Sequence, residues 1–132
     1  AGYLLGQARL VETLQAVRQP WGVNVLACAA LAACAGDREA PRRLAEEVAR
    51  AREDLAAALA ELPRVRVWPS AANFLLVRVP DGPAVRTALL ERGIAVRRAD
   101  TFPGLGPGHL RVAVRGPAEN EVLLETLREV LR

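Results

Sequence analysis

The 132-residue sequence contains no lysine, so all 18 of its basic residues are arginine. A strong arginine and alanine bias can follow from a GC-rich coding sequence, and the net charge is only +3. The arginines mix with acidic residues along helical stretches, and aromatic residues make up 4% of the chain. Both features argue against nucleic-acid binding, which favours a clustered basic surface with stacking aromatics.

Cysteine and histidine are also scarce. Cys28 and Cys34 lie in one helical stretch at a spacing that turns their thiols about 120° apart, so they cannot pair with each other. We expect both to be small core residues in a reducing cytoplasm. His109 is the only histidine and no CxxC motif occurs, so no metal site is expected. No signal peptide and no bilayer-spanning apolar run is visible, and no membrane partner is expected.

Hydrophobic residues make up 52% of the chain, which predicts a globular domain. The first half is predicted to form a short strand and three helices, at residues 2–6, 7–18, 23–34 and 37–62. The second helix is apolar enough to be buried on most sides. Asp37 is the predicted N-cap of the third helix, and Pro63 ends it.

After Pro63 the pattern changes to short strands near residues 65–67, 74–79, 94–96 and 110–114. Helices are predicted between them at 83–92 and after them at 117–132. The fold class is therefore α+β, with a small antiparallel or mixed sheet of about four strands, helices on one face, and a long preceding helix.

Two arginines, Arg97 and Arg111, flank a loop rich in proline and glycine at residues 101–108. Each lies at the edge of a predicted strand, and a guanidinium there suits a carboxylate or a small dianion. The alternative is that both are ordinary solvated residues. Because successive strand residues face opposite ways, only one of Arg97 and Arg98 can point into such a site, and the spacing favours Arg97.

Five motifs follow one another along the chain. They are G-Y-L-L-G at residues 2–6, P-W-G-V-N-V-L-A at 20–27, A-N-F-L-L-V-R at 72–78, R-x4-F-P-G-L at 97–105 and L-R-V-A-V-R at 110–115. In this order they resemble the C-terminal part of fold-type I pyridoxal-phosphate enzymes. Within that group the chain is most similar to threonine-phosphate decarboxylase of cobalamin synthesis and to histidinol-phosphate aminotransferase. The W-x-V-N segment and the last two motifs favour the decarboxylase.

The resemblance implies that residues 1–36 are a remnant of the large cofactor-binding domain and that 37–132 are the small substrate-clamping domain. It also implies that the lysine carrying pyridoxal phosphate precedes Ala1, so we expect a fragment that has no catalytic residue, binds no cofactor and is inactive alone. Arg111 would bind the substrate carboxylate, and Arg97 the phosphate end of a phosphorylated amino acid. Asn73 and Tyr3 are further candidates.

Two features indicate that something else covers part of this chain. The strand at residues 2–6 has no partner nearby in sequence, and the apolar helix at 23–34 exceeds what one small sheet can cover. We therefore expect a homodimer or a further domain. Trp21 is expected to anchor a core, and Asn24 is either a ligand contact or a helix-packing residue. The remaining alternative is a non-catalytic module used for dimerisation or for binding a phosphorylated metabolite.

Overall fold

The computed structural model describes residues 3–20 and 22–132, which group into two units, Ala1–Arg42 and Arg43–Arg132. The helices are α1 (Ala8–Val17), α2 (Val25–Ala35), α3 (Glu39–Ala60), α4 (Gly82–Glu91) and α5 (Pro117–Val130). The strands are β1 (Arg66–Val67), β2 (Phe74–Arg78), β3 (Arg97–Arg98) and β4 (His109–Ala113). In the described ranges no helix combines the length and apolarity that a bilayer crossing needs. The predicted division of the chain at residue 36 stays a prediction.

The N-terminal unit is helical, and α2 and α3 begin where side chains accept the free amide protons of the first turn, whereas the Gln7 side chain at the start of α1 makes no such bond. Asn24 Oδ1 accepts from the Ala27 N–H at 2.8 Å at the start of α2. Asp37 Oδ1 accepts from the N–H groups of Glu39 and Ala40 at 3.0 and 2.9 Å. Asp37 is therefore the N-cap of α3, as the sequence predicted.

The predicted strand at residues 2–6 is wrong in its described part, because Tyr3 to Gly6 carry no strand structure. Gly2 lies outside the described residues. A strand exists only through ladder hydrogen bonds to a neighbour, and the sheet of this chain is formed entirely by residues 66–113. An apolar, alternating pattern alone does not supply that neighbour.

The expectation that α2 is buried on most sides is also wrong. None of its residues is buried, and Val25 and Leu26 are 78% and 77% exposed. Cys28 and Cys34, expected in the core, are free and exposed. A unit of this size has too few residues to enclose a helix that is apolar on every side. Trp21, the expected core anchor, lies outside the described residues.

In the C-terminal unit the four strands form one antiparallel sheet with the order β1–β2–β4–β3. Alternate residues of the two central strands are buried: Leu75, Val77, Leu110 and Val112 are each at most 3% exposed. They pack against buried side chains of the helices, namely Leu55 and Leu59 of α3, Val85 and Leu89 of α4, and Leu123, Leu124 and Leu127 of α5. The predicted α+β class, with about four strands and helices on one face, is confirmed.

The third strand is displaced from its predicted position. It comprises Arg97 and Arg98 instead of residues 94–96. The Ile94 N–H donates to the Leu89 carbonyl at 2.9 Å, so Ile94 still belongs to the hydrogen-bonded end of α4. Gly93 makes this possible with a φ of +78°, a left-handed conformation that favours glycine. The sheet edge therefore begins only after Val96.

Candidate functional site

The side of the sheet opposite the core carries the candidate residues, and we call it the open face. Strand alternation and register place nine side chains on it: Arg66, Trp68, Phe74, Leu76, Arg78, Arg97, His109, Arg111 and Ala113. Trp68 continues the alternation of β1, because its N–H donates to the Leu76 carbonyl at 3.1 Å. Within residues 43–132 the helices lie on the core side, and Arg66, Arg78 and Arg97 of the open face are exposed.

Arg97 and Arg111 form a directly opposed pair on the open face, where β3 meets β4. Side chains opposed in this way have Cβ atoms about 5 Å apart, close enough for one small ligand to contact both. In the described part of the chain, no carboxylate lies within 4.0 Å of either guanidinium. Two adjacent cations without an acidic partner are an arrangement that a bound anion stabilises.

Arg98 has a different environment. It pairs with Leu110, a residue of the core face, and its Nε lies 2.8 Å from Asp100 Oδ1. Strand alternation therefore directs Arg98 away from the open face and leaves Arg97 beside Arg111. The ligand-binding role of Arg97 and Arg111 stays a prediction.

Arg111 is held from one side by an aromatic ring. Its Cζ lies 4.8 Å from the centroid of the Phe74 ring, a cation–π distance. Phe74 lies opposite Ala113, whose small side chain leaves the ring free to extend along the strand toward Arg111. No role for Phe74 was predicted from the sequence. Phe74, Leu76 and Arg78 nevertheless lie at every second position of β2, which places all three on one face. The ring restricts the guanidinium, which lowers the entropy that a ligand contact would cost.

The loop between Arg97 and Arg111 is fixed where it enters β4. The Val79 N–H donates to the Gly108 carbonyl at 2.9 Å, and a Cβ at Gly108 would lie 2.7 Å from the Val79 carbonyl oxygen. His109 Nδ1 lies 3.0 Å from both the backbone nitrogen and the carbonyl oxygen of Gly106, so it accepts from the first or donates to the second according to its tautomer. The chain approaches itself here too closely for a larger residue, so glycine at position 108 is required by contact.

The two further candidates are not brought into the arginine pair by contacts within their own units. Asn73 precedes β2 and uses its backbone carbonyl to accept from the Val114 N–H at 2.9 Å, while the residue is exposed. Tyr3 belongs to the N-terminal unit and is 91% exposed. Both stay predictions as ligand contacts.

A second basic group on the open face was missed by the sequence analysis. Arg66 is opposed to Arg78, and Arg78 is opposed to His109 on its other side. The Arg66 Cζ lies 4.7 Å from the Trp68 ring, and Trp68 lies 5.4 Å from His109 between ring centroids. The sequence does contain a pattern that predicts this group. Arg66 precedes Val67 and Arg78 follows Val77, and because both valines contact the core, strand alternation places both arginines on the open face.

The chemistry of these side chains is recognition of anions. Arginine supplies hydrogen-bond donors and a permanent positive charge, but it neither accepts a proton nor acts as a nucleophile under ordinary conditions. Among the described residues no cluster of histidine, cysteine, aspartate and glutamate could hold a metal ion. Side chains of this kind are suited to binding and orienting anionic groups.

A sequence model of the family described as aminotransferase class I and II matches residues 1–127. The chain belongs to this family. The expected resemblance to pyridoxal-phosphate enzymes is thereby confirmed at family level, and the match extends across both structural units.

Histidinol-phosphate aminotransferases are among the proteins similar to this chain. The protein from Roseiflexus castenholzii is 38% identical over 134 residues, which cover 98% of this chain and 36% of that protein. The protein from Chromobacterium violaceum is 36% identical over 127 residues, which cover 96% of this chain and 36% of that protein. The chain thus spans about a third of the length of the curated relatives it matches.

Solved structures of both enzyme types share this fold. The L-threonine-O-3-phosphate decarboxylase from Porphyromonas gingivalis has a TM-score of 0.79 and 27% identity, over 96% of this chain and 40% of its own. The histidinol-phosphate aminotransferase from Clostridium acetobutylicum has a TM-score of 0.81 and 26% identity, over 92% of this chain and 37% of its own. The fold is therefore common to decarboxylases and aminotransferases of this family.

Proposed function

We propose that this chain is the substrate-clamping part of a pyridoxal-phosphate-dependent enzyme that acts on a phosphorylated amino acid, with threonine-phosphate decarboxylation as its reaction. The observation that carries the proposal is the opposed pair of Arg97 and Arg111 on the open face, without an acidic partner among the described residues. A phosphorylated amino acid carries two anionic groups, and each is suited to a bidentate guanidinium.

In this proposal Arg111 binds the α-carboxylate and Arg97 binds the phosphate. Phe74 restrains the Arg111 guanidinium, whose Cζ lies 4.8 Å from the ring centroid, and thereby helps to orient the carboxylate. Holding the carboxylate in one orientation determines which bond of the α-carbon is broken, and binding energy from the distant phosphate supports that orientation. Arg111 thus acts on the choice of reaction by positioning the substrate.

Pyridoxal phosphate would supply the electron sink for this reaction in the whole protein. The 132 residues contain no lysine and thus no side-chain amine that could form a Schiff base with its aldehyde. The residues described here therefore do not fit as the covalent holder of the cofactor. We assign Arg97 and Arg111 to the substrate, and we infer that this chain alone is inactive.

Histidinol-phosphate aminotransfer is the second candidate, because the named relatives at 36–38% identity carry that activity in their names. Its substrate also has a phosphate for Arg97.

The exposed apolar surface of α2 supports a whole protein in which other residues cover this helix, as a homodimer or a larger domain would. A cytoplasmic location stays part of the proposal.

The test is made in the whole protein that carries these residues, supplied with pyridoxal phosphate and L-threonine O-3-phosphate. We expect Arg111→Gln to weaken substrate binding at least tenfold and to leave the absorbance of the bound cofactor unchanged. Arg98→Gln is the matched control, because it removes the same charge from the opposite face. Unchanged affinity in Arg111→Gln removes this residue from the site.

The two candidate reactions are separated by their products. Release of carbon dioxide from L-threonine O-3-phosphate supports the decarboxylase. Transfer of an amino group from histidinol phosphate to 2-oxoglutarate, without release of carbon dioxide, supports the aminotransferase and refutes the first proposal. Absence of both activities in a cofactor-loaded protein leaves the non-catalytic binding module as the function.

A further inference from the structure

Three arginines line one cavity at the outer corner of the sheet, beside β1 and the end of β2. The cavity has a volume of about 240 Å³ and is lined by Arg64, Arg66, Arg78, Val79 and Pro80. A depression of this size has room for a phosphate-sized ion with part of its hydration. We propose that this corner, which we call the corner site, binds a compact phosphate-like dianion.

The register brings the charges of the corner site together. Arg66 lies directly opposite Arg78, and such residues have Cβ atoms about 5 Å apart. Two positive charges at this distance repel each other. In the described part of the chain, no carboxylate lies within 4.0 Å of Arg64, Arg66 or Arg78 to offset that repulsion. A dianion between the two opposed guanidinium groups replaces this repulsion with charge-assisted hydrogen bonds.

Two of the arginines are held in position by neighbouring groups. The Arg66 Cζ lies 4.7 Å from the centroid of the Trp68 ring, which itself packs beside His109. Arg64 has a φ of 63°, and one of its terminal nitrogens donates to the Leu131 carbonyl at 3.4 Å. Guanidinium groups restrained before binding lose less freedom when they contact a ligand. Each retains further N–H groups for an anion.

The corner site is separate from the arginine pair of the proposed function. Arg97 and Arg111 do not line the cavity. Residues paired across neighbouring strands form rows on the open face. Arg97 and Arg111 share a row with Leu76, whereas Arg66 and Arg78 share the next row with His109. A compact anion in the corner site is therefore a second ligand, and its binding does not depend on the identity of the substrate.

The experiment is a titration of the 132-residue chain with inorganic phosphate at constant ionic strength, followed by the NMR signals of the arginine Nε–H groups. We expect saturable shifts at Arg66 and Arg78. Arg66→Gln and Arg78→Gln should each weaken phosphate binding about tenfold, because each removes one charge-assisted hydrogen-bonding group. All three arginines are exposed, so these variants should keep the fold, as circular dichroism can verify.

Two controls separate this proposal from general charge effects and from the proposed function. Arg92→Gln removes one exposed positive charge at the end of α4, outside the cavity, and should leave phosphate affinity unchanged. The double variant Arg97→Gln/Arg111→Gln should also leave the shifts at Arg66 and Arg78 unchanged. Shifts that do not saturate, or an equal loss in Arg92→Gln, overturn the proposal as simple charge screening. Loss of binding only in the double variant overturns it by assigning the phosphate to the substrate pair.

Discussion

Replacing Arg97 with glutamine should stabilise this protein in the absence of ligand, although it removes a proposed binding residue. Arg97 and Arg111 are directly opposed on neighbouring strands, and in the described residues no carboxylate within 4.0 Å compensates either charge. Glutamine keeps a similar length and polar end but removes the repulsion. A site built for an anion costs stability while it is empty, because its charges are arranged for the ligand.

The magnitude follows from the spacing of the pair. For guanidinium groups about 6 Å apart, the repulsion in water is about 0.7 kcal/mol, and physiological salt reduces it to about 0.3 kcal/mol. Arg111 is half-buried, so the upper part of this range applies, which agrees with typical cross-strand charge effects. A domain of this size gains roughly 2–4 °C in Tm from such a change.

The assay is thermal and urea unfolding of the chain at low and at high salt, with Arg98→Gln as the matched control. Arg98 lies on the other face and pairs with Asp100, so its replacement should be neutral or slightly destabilising. The gain in Arg97→Gln should shrink at high salt, because screening already weakens the repulsion that the substitution removes. Adding L-threonine O-3-phosphate should raise the Tm of the wild-type chain more than that of the variant.

Two results would contradict this prediction: a lower free energy of unfolding in Arg97→Gln, or a gain in stability that is the same at all salt concentrations. The first result would mean that Arg97 makes a stabilising contact in the folded chain. The second would mean that the gain comes from strand propensity or from the unfolded state instead of from charge.

Two further predictions concern the framework that holds the site. Asn120→Ala should lower the free energy of unfolding in urea by about 1–3 kcal/mol. The buried Asn120 side chain donates to the Arg115 carbonyl and accepts from the Arg115 N–H, both at 3.0 Å. A loss no larger than that of Glu125→Ala, which changes an exposed residue, would contradict this. Gly108→Ala should cost about 1–3 kcal/mol in the same assay, because its new Cβ would meet the Val79 carbonyl oxygen at 2.7 Å. Gly106→Ala, with no atom within 4 Å of its Cβ, should be close to neutral, and equal effects of the two glycine variants would count against the contact argument.

Much of the C-terminal unit could be predicted from local sequence alone. Pro83 and Pro117 mark the starts of α4 and α5, as Asp37 does for α3 in the N-terminal unit, through capping and backbone geometry that involve only neighbouring residues. The alternation in β2 and β4 predicts which side chains are buried, because a strand has a period of two whatever it pairs with. These features depend on contacts within a few residues.

Where the local sequence pattern was ambiguous, the secondary structure and burial depended on contacts with residues distant in sequence. Residues 3–6 have a strand-like pattern but no partner, and α2 has an apolar composition but nothing in its unit that buries it. The third strand begins at Arg97 because α4 retains Ile94 through a hydrogen bond, which a composition pattern does not contain. The family, in contrast, could be predicted from the order of motifs along the chain, and its sequence model matches residues 1–127.

Residue type and spacing were enough to predict the helices, the two central strands, the family and the pair of arginines at the strand edges. Only the tertiary structure decided that Arg97 and not Arg98 lies beside Arg111, and that Arg66 faces Arg78. The physical reason is register: a shift of one residue in the pairing of two strands moves every side chain to the other face of the sheet.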